Sequence, residues 1–144
     1  VLPELLAKWA KNPDLQAIAR ACQGSVSEVA RRGLEEFNRG LYFQAHETLE
    51  EAWNEEEGVG RELYRAILQI AVAYLQIERG NYNGAIKMFW RVRQWIAPLP
   101  EVCRGVQVGR LREQAEQVYD ALQALGPGQM EAFDRRLLRP VEYE

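Results

Sequence analysis

The chain has 144 residues, 47% of them hydrophobic and 27% charged, the mix of one folded domain rather than of a disordered, collagenous or disulfide-dense chain. Its 18 Lys and Arg stand against 21 Asp and Glu, a net charge of −3 that supplies no bulk attraction for nucleic acid or an anionic membrane. Cys22 and Cys103 lie far apart and form no CxxC pair, so each is read as a separate buried thiol in a reducing, cytoplasmic setting.

Apolar residues recur at helical spacing along almost the whole chain, and no segment alternates as a strand does. The start, Val1-Leu2-Pro3-Glu4, lacks the basic residues and apolar run of a signal peptide. Leu5, Leu6 and Trp9 predict a short first helix that stops at Asn12-Pro13-Asp14. Leu15, Ile18, Ala19 and Cys22 predict a second, ended by Gly24. Ser25 and Glu28 have capping-box spacing, and Val29, Ala30, Leu34 and Phe37 carry a third helix to Gly40. A fourth passes through Ala45, Leu49 and Trp53 and ends near Gly58 and Gly60.

The fifth predicted helix, 62–79, is apolar on two sides. Leu63, Ile67, Ile70 and Tyr74 line one face, and Leu68, Val72 and Leu75 nearly the opposite one, which places it at the centre of a bundle. Gln69 and Gln76 interrupt its most apolar stretch, which is shorter than the ~20 residues of a membrane span. A sixth helix runs from about Tyr82 to Ala97 and is closed by Pro98 and Pro100. Leu111, Ala115, Val118, Leu122 and Leu125 form a seventh that stops at Gly126-Pro127, and Met130, Phe133 and Leu137 predict a last short one. The expected architecture is all-α: a compact bundle of helical hairpins around the central helix, one domain over 1–144. An internal echo supports the hairpins. Arg39-Gly40-x-Tyr42-x-x-Ala45 returns as Arg79-Gly80-x-Tyr82-x-x-Ala85, with glycine stopping one helix and tyrosine and alanine opening the next. Two copies fit a duplicated hairpin better than a solenoid.

The polar residues that could carry chemistry gather in the fourth helix. At about 100° per residue, Tyr42, Ala45, Leu49 and Trp53 form its apolar stripe. His46, the only histidine, falls on the edge of that stripe with Glu50 one turn on, while Glu47 lies further round. Three readings are open. Glu50 orients His46 as a packing pair; or the border beside Trp53 binds a small polar ligand or partner; or His46, Glu47 and Glu50 serve acid–base or metal chemistry, as in a hydrolase. Against a metal, position 50 is Glu where H-E-x-x-H needs His, and position 43 is Phe where Glu-x-x-His needs Glu. No metal and no cofactor are expected. Gln69 either faces the His46 helix or joins Arg65 and Gln76 in a thin polar stripe at the solvent.

The run Phe37-Asn38-x-Gly40-x-Tyr42-Phe43-x-Ala45-His46-Glu47-x-Leu49-Glu50-Glu51-x-Trp53 closely resembles the signature of the domain of unknown function family 309. Leu68-Gln69-x-Ala71-Val72-Ala73 and Arg79-Gly80-Asn81-x-x-Gly84-Ala85 are similar to the second half of that pattern. The resemblance spans about 34–97, with 1–33 and 98–144 left as helical extensions packed on this core. It implies a small all-helical domain with no established activity. Carried over by position, its characteristic polar residues are Asn38, His46, Glu47, Glu50 and Gln69, with Trp53 as the aromatic. The expected function is a small-ligand or partner site at these residues, with an acid–base or metal-dependent enzyme and a helical-hairpin interaction module as the alternatives. Met88, Trp90 and Trp95 add an expectation for the sixth helix. These bulky groups leave its core stripe and are taken to form a homodimer surface, or else to lie under a lid of Leu5, Leu6 and Trp9.

Overall fold

A computed structural model describes residues 13–144. In chain order it contains α1 (Pro13–Ala21), α2 (Glu28–Asn38), α3 (Tyr42–Glu55), α4 (Arg61–Glu78) and α5 (Tyr82–Ile96). A two-stranded ribbon follows, β1 (Val102–Cys103) and β2 (Val106–Gln107), and then α6 (Val108–Leu125). The predicted helix at Leu5, Leu6 and Trp9, and the lid built from it, lie outside the described residues. The protein is essentially all-α, as the helical periodicity predicts.

α2, α3, α4 and α5 pack in sequence order, each against the next, so α4 lies between α3 and α5. The reason is legible in its side chains: Leu63, Ile67, Ile70 and Tyr74 are all fully buried. The second apolar face, Leu68, Val72 and Leu75, is only half-buried. α2 and α3 approach so closely that only a glycine fits at position 33, where a Cβ would meet Leu49 Cγ at 2.7 Å. An aromatic cluster joins the layers: Phe37 and Tyr42 meet Tyr74, which in turn meets Phe89. α6 adds Val108, Leu111, Ala115, Val118 and Leu122 to the same core.

The forty-residue echo is structural as well as sequential. Gly40 and Gly80 both adopt positive φ, 77° and 71°. Each donates its N–H three residues back, to Phe37 O and Ile77 O. The next residue, Leu41 or Asn81, donates five back, to Glu36 O and Gln76 O. That bond pair is the Schellman cap, which needs a residue without Cβ strain at the left-handed position. The equivalent turns explain why two successive helical hairpins share a sequence pattern.

Several local expectations are corrected. The α2 cap is Ser27, not Ser25: its side-chain oxygen accepts from Ala30 N at 3.1 Å. Ser27 is held there because its own N–H donates to Tyr64 Oη at 3.0 Å while Val26 is buried. The ribbon breaks the all-helical pattern after the prolines. Its turn residues, Arg104 and Gly105, both have positive φ, 51° and 83°, as a tight two-residue hairpin requires. The predicted last helix is instead two 3-10 turns, Pro127–Ala132 and Arg135–Leu137, with Phe133 buried in the extended step between them.

The cysteine expectation is right about burial and wrong about pairing. Cys22 and Cys103 are both buried, and they are joined as a disulfide across 81 residues, with Cα atoms 4.4 Å apart. The ribbon brings them together by laying its turn on the end of α1. Arg104 N donates to Cys22 O at 2.7 Å, and Arg104 Nε donates to Ala21 O at 2.7 Å. The same guanidinium pairs with Glu56 and donates to Tyr64 Oη at 3.0 Å. Burial works against its charge, yet the bonds to Glu56 and Tyr64 prevail and hold it above the usual arginine range.

Candidate functional site

α3 presents its apolar stripe to the core as predicted: Tyr42, Ala45 and Leu49 are buried, and Trp53 is half-buried at the stripe's end. One step round the helix, His46 Nε2 lies 3.4 Å from Glu50 Oε2, the i, i+4 contact that their spacing implies. His46 is half-buried, and its other ring nitrogen, Nδ1, is sealed from solvent with no partner among the described residues. Phe43 lies beside the imidazole, with ring centroids 6.1 Å apart. Glu47 is exposed on the solvent side of α3.

Beyond Glu50 the helices part to form an open cleft of about 320 Å³. It is lined by Glu50 and Trp53 from α3, Arg65, Leu68 and Gln69 from α4, and Trp95 from α5. The volume lies at the small end of the range for ligand sites. The cleft forms because α4 turns its less apolar face outward there, and the large indoles of its neighbours stand up on either side. Arg65 crosses the space between them: its Cζ is 3.9 Å from the Trp95 ring centroid and 5.0 Å from that of Trp53. Arg61 lies over Trp53 as well, at 4.0 Å. A guanidinium over an indole face is attracted by the ring quadrupole, by roughly 0.5–2 kcal/mol depending on desolvation. Glu62 Oε1, 3.4 Å from Arg65 Nη2, tethers the same group from within α4.

Three residues lining the cleft carry polar atoms sealed from solvent and lacking a partner among the described residues: Trp53 Nε1, Arg65 Nε and Gln69 Oε1. A buried polar atom left unpaired costs about 1–3 kcal/mol, so such a cluster calls for an explanation. Among the described residues, no group of three or more His, Cys, Asp or Glu could hold a metal ion.

The sequence-predicted residues therefore divide. Glu50, Trp53 and Gln69 meet at one cleft; His46 joins through Glu50. Glu47 stands apart on the surface. Asn38 is engaged elsewhere: its Nδ2 donates to Val141 O at 2.9 Å, and Val141 N donates to its Oδ1 at 2.7 Å. This side chain clamps the C-terminal segment to the end of α2, 103 residues away. Sequence reasoning did not give Arg65, Leu68 and Trp95 to the site. The sequence offers Arg65 only as part of a thin polar stripe, one of two readings of Gln69, and Trp95 as part of a homodimer surface or a face under the N-terminal lid. No local signal could have found Arg65, because its contact with Trp53 and Trp95 depends on how α3, α4 and α5 pack.

Trp95 turns into the cleft, whereas Trp90 points away from it, 58% exposed, against Tyr119 of α6 at a centroid distance of 6.4 Å. Met88 is half-buried against the core. No helix among the described residues is long and apolar enough to cross a membrane.

An "Uncharacterized protein" of Aquifex aeolicus (strain VF5) is 28% identical to the chain over 96 residues, 64% of this chain and 28% of that protein. The chain thus spans under a third of the length of this relative. The family resemblance is borne out at the level of the family model: residues 30–88, from within α2 to within α5, match the one described as "Domain of unknown function (DUF309)".

Proposed function

We propose that the protein is a binding module whose site is the cleft between α3, α4 and α5, holding a small ligand with both polar and apolar parts. The observation that carries this reading is the convergence of Glu50, Trp53 and Gln69, from two helices, on one cleft with Arg65 and Trp95. The unpaired atoms of Trp53, Arg65 and Gln69 add to it, because an occupant that reaches them supplies their hydrogen-bond partners. His46 belongs to this proposal through its contact with Glu50, Glu47 only as an exposed residue of the same helix, and Asn38 only as the clamp at the end of α2. Native mass spectrometry of protein taken directly from its source tests it. A bound mass that is lost on Trp53→Ala, with the fold intact, supports the reading; equal retention by the variant refutes it.

A second reading, an acid–base or hydrolase-like enzyme, draws on the 3.4 Å contact of His46 with Glu50, the geometry by which a carboxylate orients an imidazole base. His46→Gln distinguishes the two, since it abolishes turnover in the enzyme and leaves uptake in the module. A homodimer through α5 now rests on the exposed Trp90, because Met88 and Trp95 turn toward the protein's own core and cleft. One domain over 1–144 is supported by the single core that reaches from Cys22 to Val141. A cytoplasmic location is proposed with less support than the sequence offered, since the Cys22–Cys103 bridge suits an oxidising compartment better.

A further inference from the structure

We infer that the ligand of this cleft is a free α-amino acid with a large apolar side chain, an inference that rests on the binding-module reading above. The unspent hydrogen-bonding groups come in two kinds. Trp53 Nε1 and Arg65 Nε are donors without an acceptor among the described residues, from two cleft-lining side chains that stack on each other. Arg65 is cationic and fixed in orientation by the two indoles and Glu62, the arrangement that suits a carboxylate. Among the described residues Gln69 Oε1 is an acceptor without a donor, and Glu50, which lines the same cleft, is a carboxylate whose protein contact is a single 3.4 Å approach to His46. These two acceptors suit an ammonium group, which has three protons to give. Leu68 and Trp95 line the same cleft and offer apolar surface for a side chain. A phosphate or sulfate would leave Gln69 and Glu50 unanswered. A simple alkylammonium would leave Trp53 and Arg65 unanswered. A zwitterion with an apolar arm answers all four within about 320 Å³.

The unpaired atoms are closed to solvent, so the ligand reaches them only after a half-buried indole, Trp53 or Trp95, steps to another rotamer. Binding is therefore expected to change tryptophan emission. The test is fluorescence titration and calorimetry of the full chain with free L-leucine, L-phenylalanine and L-tryptophan. The controls are N-acetyl-leucine amide, which has neither charge, isovalerate, which has only the carboxylate, and isoamylamine, which has only the ammonium; a general small-molecule screen runs in parallel. The expected result is saturable binding of a zwitterion and at least tenfold weaker binding of each control. Glu50→Gln, at an exposed position that tolerates change, is expected to weaken the zwitterion about tenfold or more while leaving isovalerate unaffected. Gln69→Leu and Arg65→Gln, checked for folding by circular dichroism, are expected to weaken it by a similar factor. Isovalerate or isoamylamine binding as tightly as the amino acid overturns the zwitterion and leaves the cleft as a site. So does a screen that fills the cleft with a ligand of another class while no amino acid binds. A cleft that takes nothing in either experiment overturns both readings.

Discussion

Replacing Gly33 by alanine sets two known effects against each other at one atom. In a free helix the change is favourable, by about 0.8–1.0 kcal/mol, because glycine has more backbone freedom to lose. Here the new Cβ would lie 2.7 Å from Leu49 Cγ and 2.9 Å from Cδ2, with the Leu49 backbone nitrogen at 3.4 Å behind them. Carbon atoms rest at roughly 3.5–4.0 Å, so the overlap is close to 1 Å. Leu49 is fully buried and has no solvent to move into. Overpacking of this kind costs about 1–3 kcal/mol. The net expectation for Gly33→Ala is thus a loss of about 1 kcal/mol, where propensity alone gives a gain of that size. Leu49→Ala alone leaves a cavity and costs about 2–5 kcal/mol. Combined, the added methyl occupies part of that cavity and the clash disappears, so the double variant falls short of the sum of the singles by about 1 kcal/mol or more. Urea unfolding with shared slopes measures all three. If Gly33→Ala raises the midpoint, or if the cycle is additive, α2 and α3 do not approach as closely as described.

Asn38→Ala removes both bonds to Val141 and is expected to cost about 1–3 kcal/mol, with faster hydrogen exchange at the Val141 amide and unchanged ligand uptake; unchanged exchange would contradict the clamp. Tyr42 should ionise late. Burial first, and Glu78 second, raise its hydroxyl from 10.0 to about 12, and burial raises Tyr74 further. Because the folded state favours the neutral ring, this contribution to stability is complete below about pH 10 and is lost as pH rises through about 12. Tyrosinate absorbance that develops for all tyrosines near pH 10, with the fold retained, would show the burial to be wrong. Arg104→Lys keeps the charge but cannot serve Ala21, Glu56 and Tyr64 together, so it should destabilise the protein and raise exchange at the end of α1; wild-type behaviour would mean that the hub is dispensable.

How far the sequence foretells this structure depends on how local each feature is. The helices and their glycine stops follow from patterns a few residues long, and Gly40 and Gly80 behave as their shared motif implies. The centrality of α4 was readable because its two-sided apolarity has only one economical packing. His46 meets Glu50 because one helical turn fixes both. Features that depend on distant partners were not readable. Asn38 looks like any exposed polar residue at a helix end until Val141 returns to it. Cys22 and Cys103 cannot be paired from a separation of 81 residues, which says nothing of where the chain turns back. Arg65 joins the cleft because two indoles from different helices close on it, and periodicity within α4 cannot reveal that. The ribbon at Val102–Gln107 is too short to show alternation.

The bridge between Cys22 and Cys103 also changes what kind of object the polymer is. From 22 to 103 the backbone closes on itself as a covalent ring with a tail at each end. The ring contains the whole family segment and every residue that lines the cleft. A protease that cuts once inside it, in the Gly58–Gly60 turn for example, opens the ring without releasing a fragment. The cut halves stay tethered, and the walls of the cleft keep a high effective concentration for one another. A singly nicked chain should therefore migrate as one species without reductant and as two with it, and only the two-piece form should lose the tryptophan signature of the cleft on dilution.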